Sequence, residues 1–331
     1  MLSIIKFSTG LLLGQMANEN FFVLNIAILD NFTKLRHNYD DFINIIMPTQ
    51  EEAITLLTKK QAVELLGLEV KTFDNYFKNA AEFPAEPRIN GRGFFKFNKE
   101  KLLSWQQSYN WRTVNLDKEE YAQCLDFALA IHFKEYVSSD FGTGRQREFG
   151  QKVTNWVKGQ LGELAVKKFF KQEFNTEIEL DFEIRDAYVP QDVVGVKENG
   201  VMRKPKIGIG IKSSKPKSAF LVLGSNEIAR DQRVSDVYIY CRPDLPDDHL
   251  LRISKDAVTA LVQGQYHYNR YKELIPEFTE IPCEIAGWCL LDELREVSEI
   301  PGQTFDGTRF VIESGKMRKS KKDWQDLINR L

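Results

Sequence analysis

The sequence predicts an α/β protein in which a mixed central sheet is flanked by helices and preceded by a small helical domain. A long amphipathic segment at 149–174 has helical spacing. Segments rich in β-branched residues follow it at 177–184, 192–196, 207–214 and 234–242, as expected for strands of a partly buried sheet. With 331 residues, the chain can form two domains that each bury a core.

The composition is typical of a globular protein, with 43% hydrophobic residues, 28% charged residues and a net charge of −2. A DNA-binding surface would therefore have to come from local clusters of Lys and Arg. The 4 cysteines show no CxxC spacing, which argues against a structural zinc site and favours free thiols in a reducing cytoplasm. The apolar stretch at 2–29 is interrupted by polar residues, so we expect a cytoplasmic protein that does not enter a membrane.

Changes in pattern along the chain predict four segments. Residues 1–46 form an extension of unknown role, which is not translated if Met47 is the true start. Residues 47–112 predict a winged helix-turn-helix, 113–148 a helical connector, and 149–331 the main α/β domain.

Two short helices are expected in the segment 47–112. Thr58 is a typical N-cap and Gly67 a typical helix stop, so a helix should lie between them. The apolar spacing of 70–79 predicts a second helix. A pair of helices of this size joined by a glycine turn has the pattern of a helix-turn-helix.

A basic hairpin should follow the two helices. Asn90-Gly91 is a strong turn signal within 87–97, and Asn98 should cap a helix that continues through Trp105. This order of elements resembles the winged modules of the excisionase and MerR-like DNA-binding group. The resemblance implies groove or phosphate contacts from Lys71, Thr72, Asn75 and Lys78, and from Arg92 on the wing. Alternatively, the aromatic residues of the hairpin serve only as the core of a small domain.

Three residues in the main domain form a pattern associated with nuclease chemistry. Glu163 lies on the long helix beside small residues, and Asp192 stands at the head of a strand. Lys212 ends the next β-branched run, 20 residues after Asp192. A lone glutamate on a helix is ordinarily a surface residue, so the pattern matters only as a set.

Over residues 150–242 this set resembles the PD-(D/E)XK superfamily, and within it the type II restriction endonucleases. The resemblance implies a restriction-endonuclease-like fold, cleavage of double-stranded DNA with Mg²⁺, and a homodimer. It also implies that Asp192, a second acidic residue and Ile211 hold the metal, while Lys212 orients or helps to deprotonate the attacking water. Phosphodiester hydrolysis requires an activated nucleophile and neutralised phosphate oxygens, and a cation held by carboxylates provides both.

The chain departs from this family at Gly210, where an Asp or Glu normally stands two residues before the lysine. Either the site is inactive, or the second carboxylate comes from Glu227, 15 residues after Lys212, as in a subset of restriction endonucleases. Alternatively, Glu227 is an ordinary first-turn glutamate that interacts with its helix dipole. If Glu227 is the relocated ligand, Gly210→Asp should partly restore activity when Glu227 is removed.

Local charge is consistent with a DNA surface beside this pattern. Residues 143–171 contain seven Lys and Arg against two acidic residues, and residues 197–217 contain seven against one. Candidate phosphate contacts are Arg145, Arg147, Lys215 and Lys217. Alternatively, these are solvated lysine-rich turns. The sequence thus predicts a type II-like restriction endonuclease; the alternatives are a DNA-binding protein with a degenerate nuclease fold and a repair or mobile-element nuclease.

Overall fold

Helices and strands alternate along the chain in a mixed α/β arrangement. The computed structural model describes residues 55–80, 82–86, 88, 93–133, 148–182, 191–228, 234–265 and 268–331. Contacts group Leu56–Leu331 into one unit. The expected extension 1–46 and the expected turn at Asn90-Gly91 lie outside the described residues. None of the helices in the described ranges combines the length and apolar character needed to cross a membrane.

A small module of short helices begins the described chain. Its elements are β1 (Leu56–Leu57), α1 (Lys59–Leu66), α2 (Val70–Asn79), β2 (Phe97–Asn98) and α3 (Lys99–Trp111).

Local capping explains how the helices of this module start and stop. Thr58 and Gln61 form a capping box at the start of α1, and Gly67 ends the helix in the left-handed conformation, with φ of 62°. Asn98 caps α3, as predicted, but α3 continues to Trp111 rather than stopping near Trp105. Whether the module is a DNA-binding winged helix-turn-helix stays a prediction.

The main domain follows directly. Its elements are β3 (Thr113–Leu116), α4 (Lys118–Phe133), α5 (Phe149–Phe174), β4 (Ile178–Leu180), β5 (Val193–Glu198), β6 (Val201–Arg203), β7 (Ile209–Ser213), β8 (Phe220–Gly224), α6 (Ser225–Ile228), β9 (Val237–Pro243), α7 (His249–Ile253), α8 (Lys255–Leu261), α9 (Tyr268–Leu274), β10 (Ile281–Leu290), β11 (Arg295–Ile300), β12 (Gln303–Glu313) and α10 (Lys321–Ile328).

The central sheet is mixed, as predicted. Its strand order is β3-β10-β9-β7; β7 and β9 are parallel, and the other pairs are antiparallel. Helix α5 packs on one face, where Ile209, Ile211 and Ile239 belong to the larger core. The opposite face presents Tyr238 and Tyr240 to residues of β8 and β12, which form a second sheet with β11. Alternate residues of β9 therefore pack into two different cores.

The segment 113–148 is more than the expected helical connector. Its strand β3 pairs with β10 at the edge of the central sheet, and helix α4 packs against α5. Tyr121 and Cys124 of α4 are completely buried in the larger core. The four-residue strand β3 is too short to give a clear alternating pattern, which explains why only the helix was anticipated.

A buried ion network joins the small module to the main domain. Arg242 Nε lies 3.0 Å from Glu284 Oε2, and Arg112 Nη1 lies 3.2 Å from Glu284 Oε1. Glu82 of the small module accepts a hydrogen bond from Ser314 and pairs with Lys319 Nζ at 2.9 Å. Removing one member of such a network leaves its buried partners uncompensated. The small module and the main domain are therefore linked by ionic contacts.

Candidate active site

Lys212 and Glu227 meet at the outer strand of the central sheet. Lys212 is near the end of β7, and Glu227 lies in the single turn of α6, directly after β8. Lys212 Nζ lies 3.1 Å from Glu227 Oε2, and their side chains are 29% and 37% exposed. The strand-and-turn distance between these residues therefore brings the glutamate back to the lysine, as the relocated-carboxylate hypothesis requires.

Asp192 also lies beside β7, but it comes from an earlier part of the chain than Glu227. Its backbone N–H donates to the carbonyl of Ile209 at 3.1 Å, which joins the start of β5 to β7. Its Oδ2 accepts a hydrogen bond from the N–H of Ile211, the residue immediately before Lys212. These two bonds fix the carboxylate of Asp192 beside the strand that carries the lysine.

Glu163 reaches the site from helix α5 and is only 9% exposed. The helix approaches β7 closely because Gly162 has no side chain: a Cβ there would lie 1.9 Å from Ser213 Oγ and 3.2 Å from Cys241 Cβ. One turn before it, Gln160 donates from Nε2 to Glu163 Oε1 at 3.0 Å. The sequence reasoning identified Glu163 but missed Gln160, although spacing of three residues on a helix predicts neighbouring side chains.

Burial and neighbouring carboxylates make ionisation of Glu163 and of Asp192 less favourable. Burial raises the pKa of Glu163 well above its usual range, and the nearby Asp192 raises it further, while Lys212 opposes the shift. Burial also raises the pKa of Asp192; Lys212 and the Ile211 N–H oppose this shift, and Glu227 adds to it. The four predicted residues therefore form one electrostatically linked cluster in which a further positive charge would be favourable.

The chemistry of this cluster fits the expected divalent cation. Asp192 and Glu227 offer the hard oxygen ligands that Mg²⁺ prefers, and Ile211 can contribute only its backbone carbonyl oxygen. Across the described residues, no group of three or more His, Cys, Asp or Glu side chains is arranged to hold a metal ion. The expected ligand set contains only two side chains of these types, the carboxylates of Asp192 and Glu227, and its third member is a backbone carbonyl.

Gly210 is closed to a side chain. A Cβ at this position would lie 2.8 Å from Ser235 Oγ and 3.0 Å from Cδ1 and Cε1 of Tyr238. Tyr238 is the direct partner of Gly210 in the parallel β7–β9 pair, so its ring occupies the space beside the glycine. This crowding argues against the expectation that Gly210→Asp restores a family-like site, which stays a prediction, because the neighbouring side chains would have to shift to admit the aspartate.

The exposed lysines among the predicted DNA contacts lie in two places. Lys71 on α2 and both Lys215 and Lys217, after β7, are exposed, whereas Thr72 is half-buried. Lys215 Nζ lies 3.9 Å from Asp247 Oδ1. The side chains of Asn75 and Lys78, and all of Arg92, Arg145 and Arg147, lie outside the described residues.

Ion pairs reduce the local excess of positive charge that the sequence suggested. Lys168 pairs with Glu120 at 2.8 Å, and Lys197 pairs with Glu177 at 2.8 Å. Lys158 is 9% exposed and faces inward from α5. Counting charges along the sequence therefore overestimates the cations that face solvent in these two segments.

His249 is a buried structural residue. Thr154 Oγ1 donates its proton to the Gly150 carbonyl at 2.7 Å, so it must accept from His249 Nε2, 2.9 Å away. The other ring nitrogen, Nδ1, then accepts from the Tyr121 hydroxyl at 2.6 Å. Burial lowers the pKa of His249 to about 4, with a further contribution from Lys158. With both nitrogens engaged, this histidine is not available as a general base.

Comparisons with protein-family models, with curated proteins and with solved structures found no match to this chain.

Proposed function

We propose that this protein is a divalent-metal-dependent endonuclease that hydrolyses phosphodiester bonds of double-stranded DNA, with a restriction-endonuclease-like fold and a type II-like restriction role. The observation that carries the proposal is the convergence of Glu163, Asp192 and Glu227, from three other parts of the chain, on the strand β7 that carries Lys212. These residues were selected from sequence pattern alone, and they are far apart in the chain.

Each side chain has a role that follows from its chemistry. Asp192 and Glu227, with the Ile211 carbonyl, would hold Mg²⁺. When bound there, the cation supplies charge neutralisation for the phosphate and lowers the pKa of a coordinated water. Lys212 orients the attacking water and stabilises negative charge on the phosphate oxygens. Glu163 accepts a hydrogen bond from that water and holds it in line with the phosphorus atom.

The remaining parts of the molecule would position DNA. We assign the small module 56–111 to DNA binding through α2, and the exposed Lys215 and Lys217 to phosphate contacts beside the site. Duplex cleavage by a single-site chain is achieved by two copies, so we propose a homodimer.

A direct experiment tests this function. Purified full-length protein is incubated with supercoiled plasmid and genomic DNA in Mg²⁺, in Mn²⁺ and in EDTA. Metal-dependent conversion to linear or defined fragments is expected, and Asp192→Asn should abolish it while DNA binding measured in Ca²⁺ persists. Cleavage that continues in EDTA, or is unchanged in the Asp192 variant, would contradict the proposal. Binding without cleavage under every metal condition would favour a DNA-binding protein with a degenerate nuclease fold.

A further inference from the structure

Gln160 makes a contact in the site that the sequence pattern did not reveal. It is 5% exposed on α5, and its Nε2 donates to Glu163 Oε1 at 3.0 Å. Because both groups are on the same helix one turn apart, this bond restricts the rotamer of Glu163. The bond occupies Oε1 of the Glu163 carboxylate.

A second observation concerns the other end of the Gln160 amide. Its Oε1 is buried and has no hydrogen-bond partner among the described residues, and the same is true of Ser213 Oγ. Ser213 follows Lys212 directly, and its hydroxyl lies against Gly162, between Gln160 and Glu163 in the sequence. A buried polar atom without a partner costs about 1–3 kcal/mol, so the polar amide of Gln160 is retained beside Glu163 at a cost in stability.

We propose that Gln160 is a positioning residue for the cleavage reaction, which holds the Glu163 carboxylate in one rotamer through Nε2. The proposal deepens the endonuclease function and rests on it. Gln160 does not contact the phosphate or the metal; it acts through Glu163. Such outer hydrogen bonds typically change activity or metal affinity by about 10- to 100-fold.

A double-mutant cycle between Gln160 and Glu163 tests this role. Gln160→Met keeps the length of the side chain and removes both hydrogen-bonding groups. We expect it to lower the single-turnover cleavage rate by about 10- to 100-fold, with a change in KM for DNA below about 3-fold. In a Glu163→Gln background, the same substitution should cost less than about 3-fold, because the carboxylate that it positions is already gone. Equal losses in both backgrounds would overturn the proposal.

Two further measurements keep the result interpretable. Gln151→Met, at an exposed position on the same helix, is the matched control and should leave cleavage unchanged. Gln160→Ala provides a second variant if Gln160→Met does not fold, as judged by thermal melting and circular dichroism. If a folded Gln160 variant cleaves DNA as fast as the Gln151→Met control, the positioning role is overturned.

Mn²⁺ affinity, measured by isothermal titration of the full-length variants without DNA, separates this proposal from the function on which it rests. We expect Gln160→Met to weaken Mn²⁺ binding by about 10-fold in the wild-type background and not in the Glu163→Gln background. Wild-type protein that binds Mn²⁺ but cuts no DNA would contradict the endonuclease function alone. Additive effects on Mn²⁺ affinity would instead contradict the role of Gln160.

Discussion

Replacing Glu227 by Gln separates a metal ligand from an ordinary ion-pair partner. The substitution keeps the shape of the side chain but removes the negative charge that lies 3.1 Å from Lys212 Nζ. The two side chains are 29% and 37% exposed, so the pair is screened by solvent. Its loss should cost less than about 1 kcal/mol of folding free energy.

The effect on catalysis should be much larger. Asp192 would be left as the single carboxylate ligand of a cation that needs several oxygens. We expect the cleavage rate to fall by at least about 10²-fold, which corresponds to about 3 kcal/mol of transition-state stabilisation. The assay is single-turnover cleavage of a labelled duplex at saturating protein, over a range of Mg²⁺ concentrations. Urea denaturation of the same protein measures the folding free energy.

Glu120→Gln is the matched control. Glu120 pairs with Lys168 at 2.8 Å, and these side chains are 25% and 26% exposed, close to the values for the Glu227 pair. Glu120 also accepts a hydrogen bond from the Asp117 N–H at the start of α4, so Glu120→Gln should lose at least as much stability as Glu227→Gln, but only Glu227→Gln should lose the cleavage rate. If Glu227→Gln retains its rate within about 3-fold of wild type, Glu227 is a structural partner of Lys212 and the relocated-ligand hypothesis is refuted.

Three other perturbations have outcomes that follow from the packing and charge. Gly210→Asp should fail to restore cleavage to the Glu227→Gln protein. In urea denaturation, Gly210→Ala should lower the unfolding free energy by about 1–3 kcal/mol. Gly159→Ala is the control, because nothing lies within 4 Å of its new Cβ, and it should not destabilise the protein. The pKa of His249 is lowered from 6.5 to about 4, so the stability that the neutral imidazole provides is complete above pH 6.5 and is lost as the pH falls towards 4. This loss of unfolding free energy, on the order of 3 kcal/mol, should disappear in a folded His249→Gln protein. A pH dependence that is the same in that variant would contradict the prediction. Lys217→Gln should reduce the slope of log K against log salt for DNA binding by about one, and an unchanged slope would remove Lys217 from the phosphate contacts.

Strong local signals in the sequence predicted much of the fold. The capping pattern around Thr58 and Gly67 and the regular spacing of 70–79 depend on residues close in sequence, and the structure has helices at these positions. The β-branched run at 207–214 likewise contains β7. Such elements are predictable because hydrogen bonds and side-chain periodicity act over a few residues.

Other elements depend on contacts that the sequence does not display. Helices α7 to α9 span 5 to 7 residues each, too few for a clear helical period, and the sequence pattern predicted none of them. Strand β3 belongs to the central sheet only because β10, far along the chain, pairs with it. Both are cases in which tertiary contacts determine the secondary structure of a segment whose own pattern is weak.

The candidate site shows the same division. Asp192, Lys212 and Glu163 were identifiable because each stands at a recognisable position on its own strand or helix. Gln160 could be found only with the helix rotamers in view, because its importance depends on one hydrogen bond to Glu163 and on an acceptor that has no partner among the described residues. Pattern predicts which elements carry the chemistry, but the contacts between elements determine which neighbouring residues support it.

Gly210 illustrates how a missing residue in a pattern acquires a physical explanation. Sequence alone left two readings open, an inactive site or a carboxylate supplied from elsewhere. The parallel pairing of β7 with β9 places Tyr238 beside Gly210, and its ring and Ser235 fill the space that an acidic side chain would need. On the same strand two residues later, Lys212 is paired with a carboxylate from α6. In this packing the strand has little room for the usual acid, and the carboxylate that reaches the lysine comes from another element, as Glu227 does.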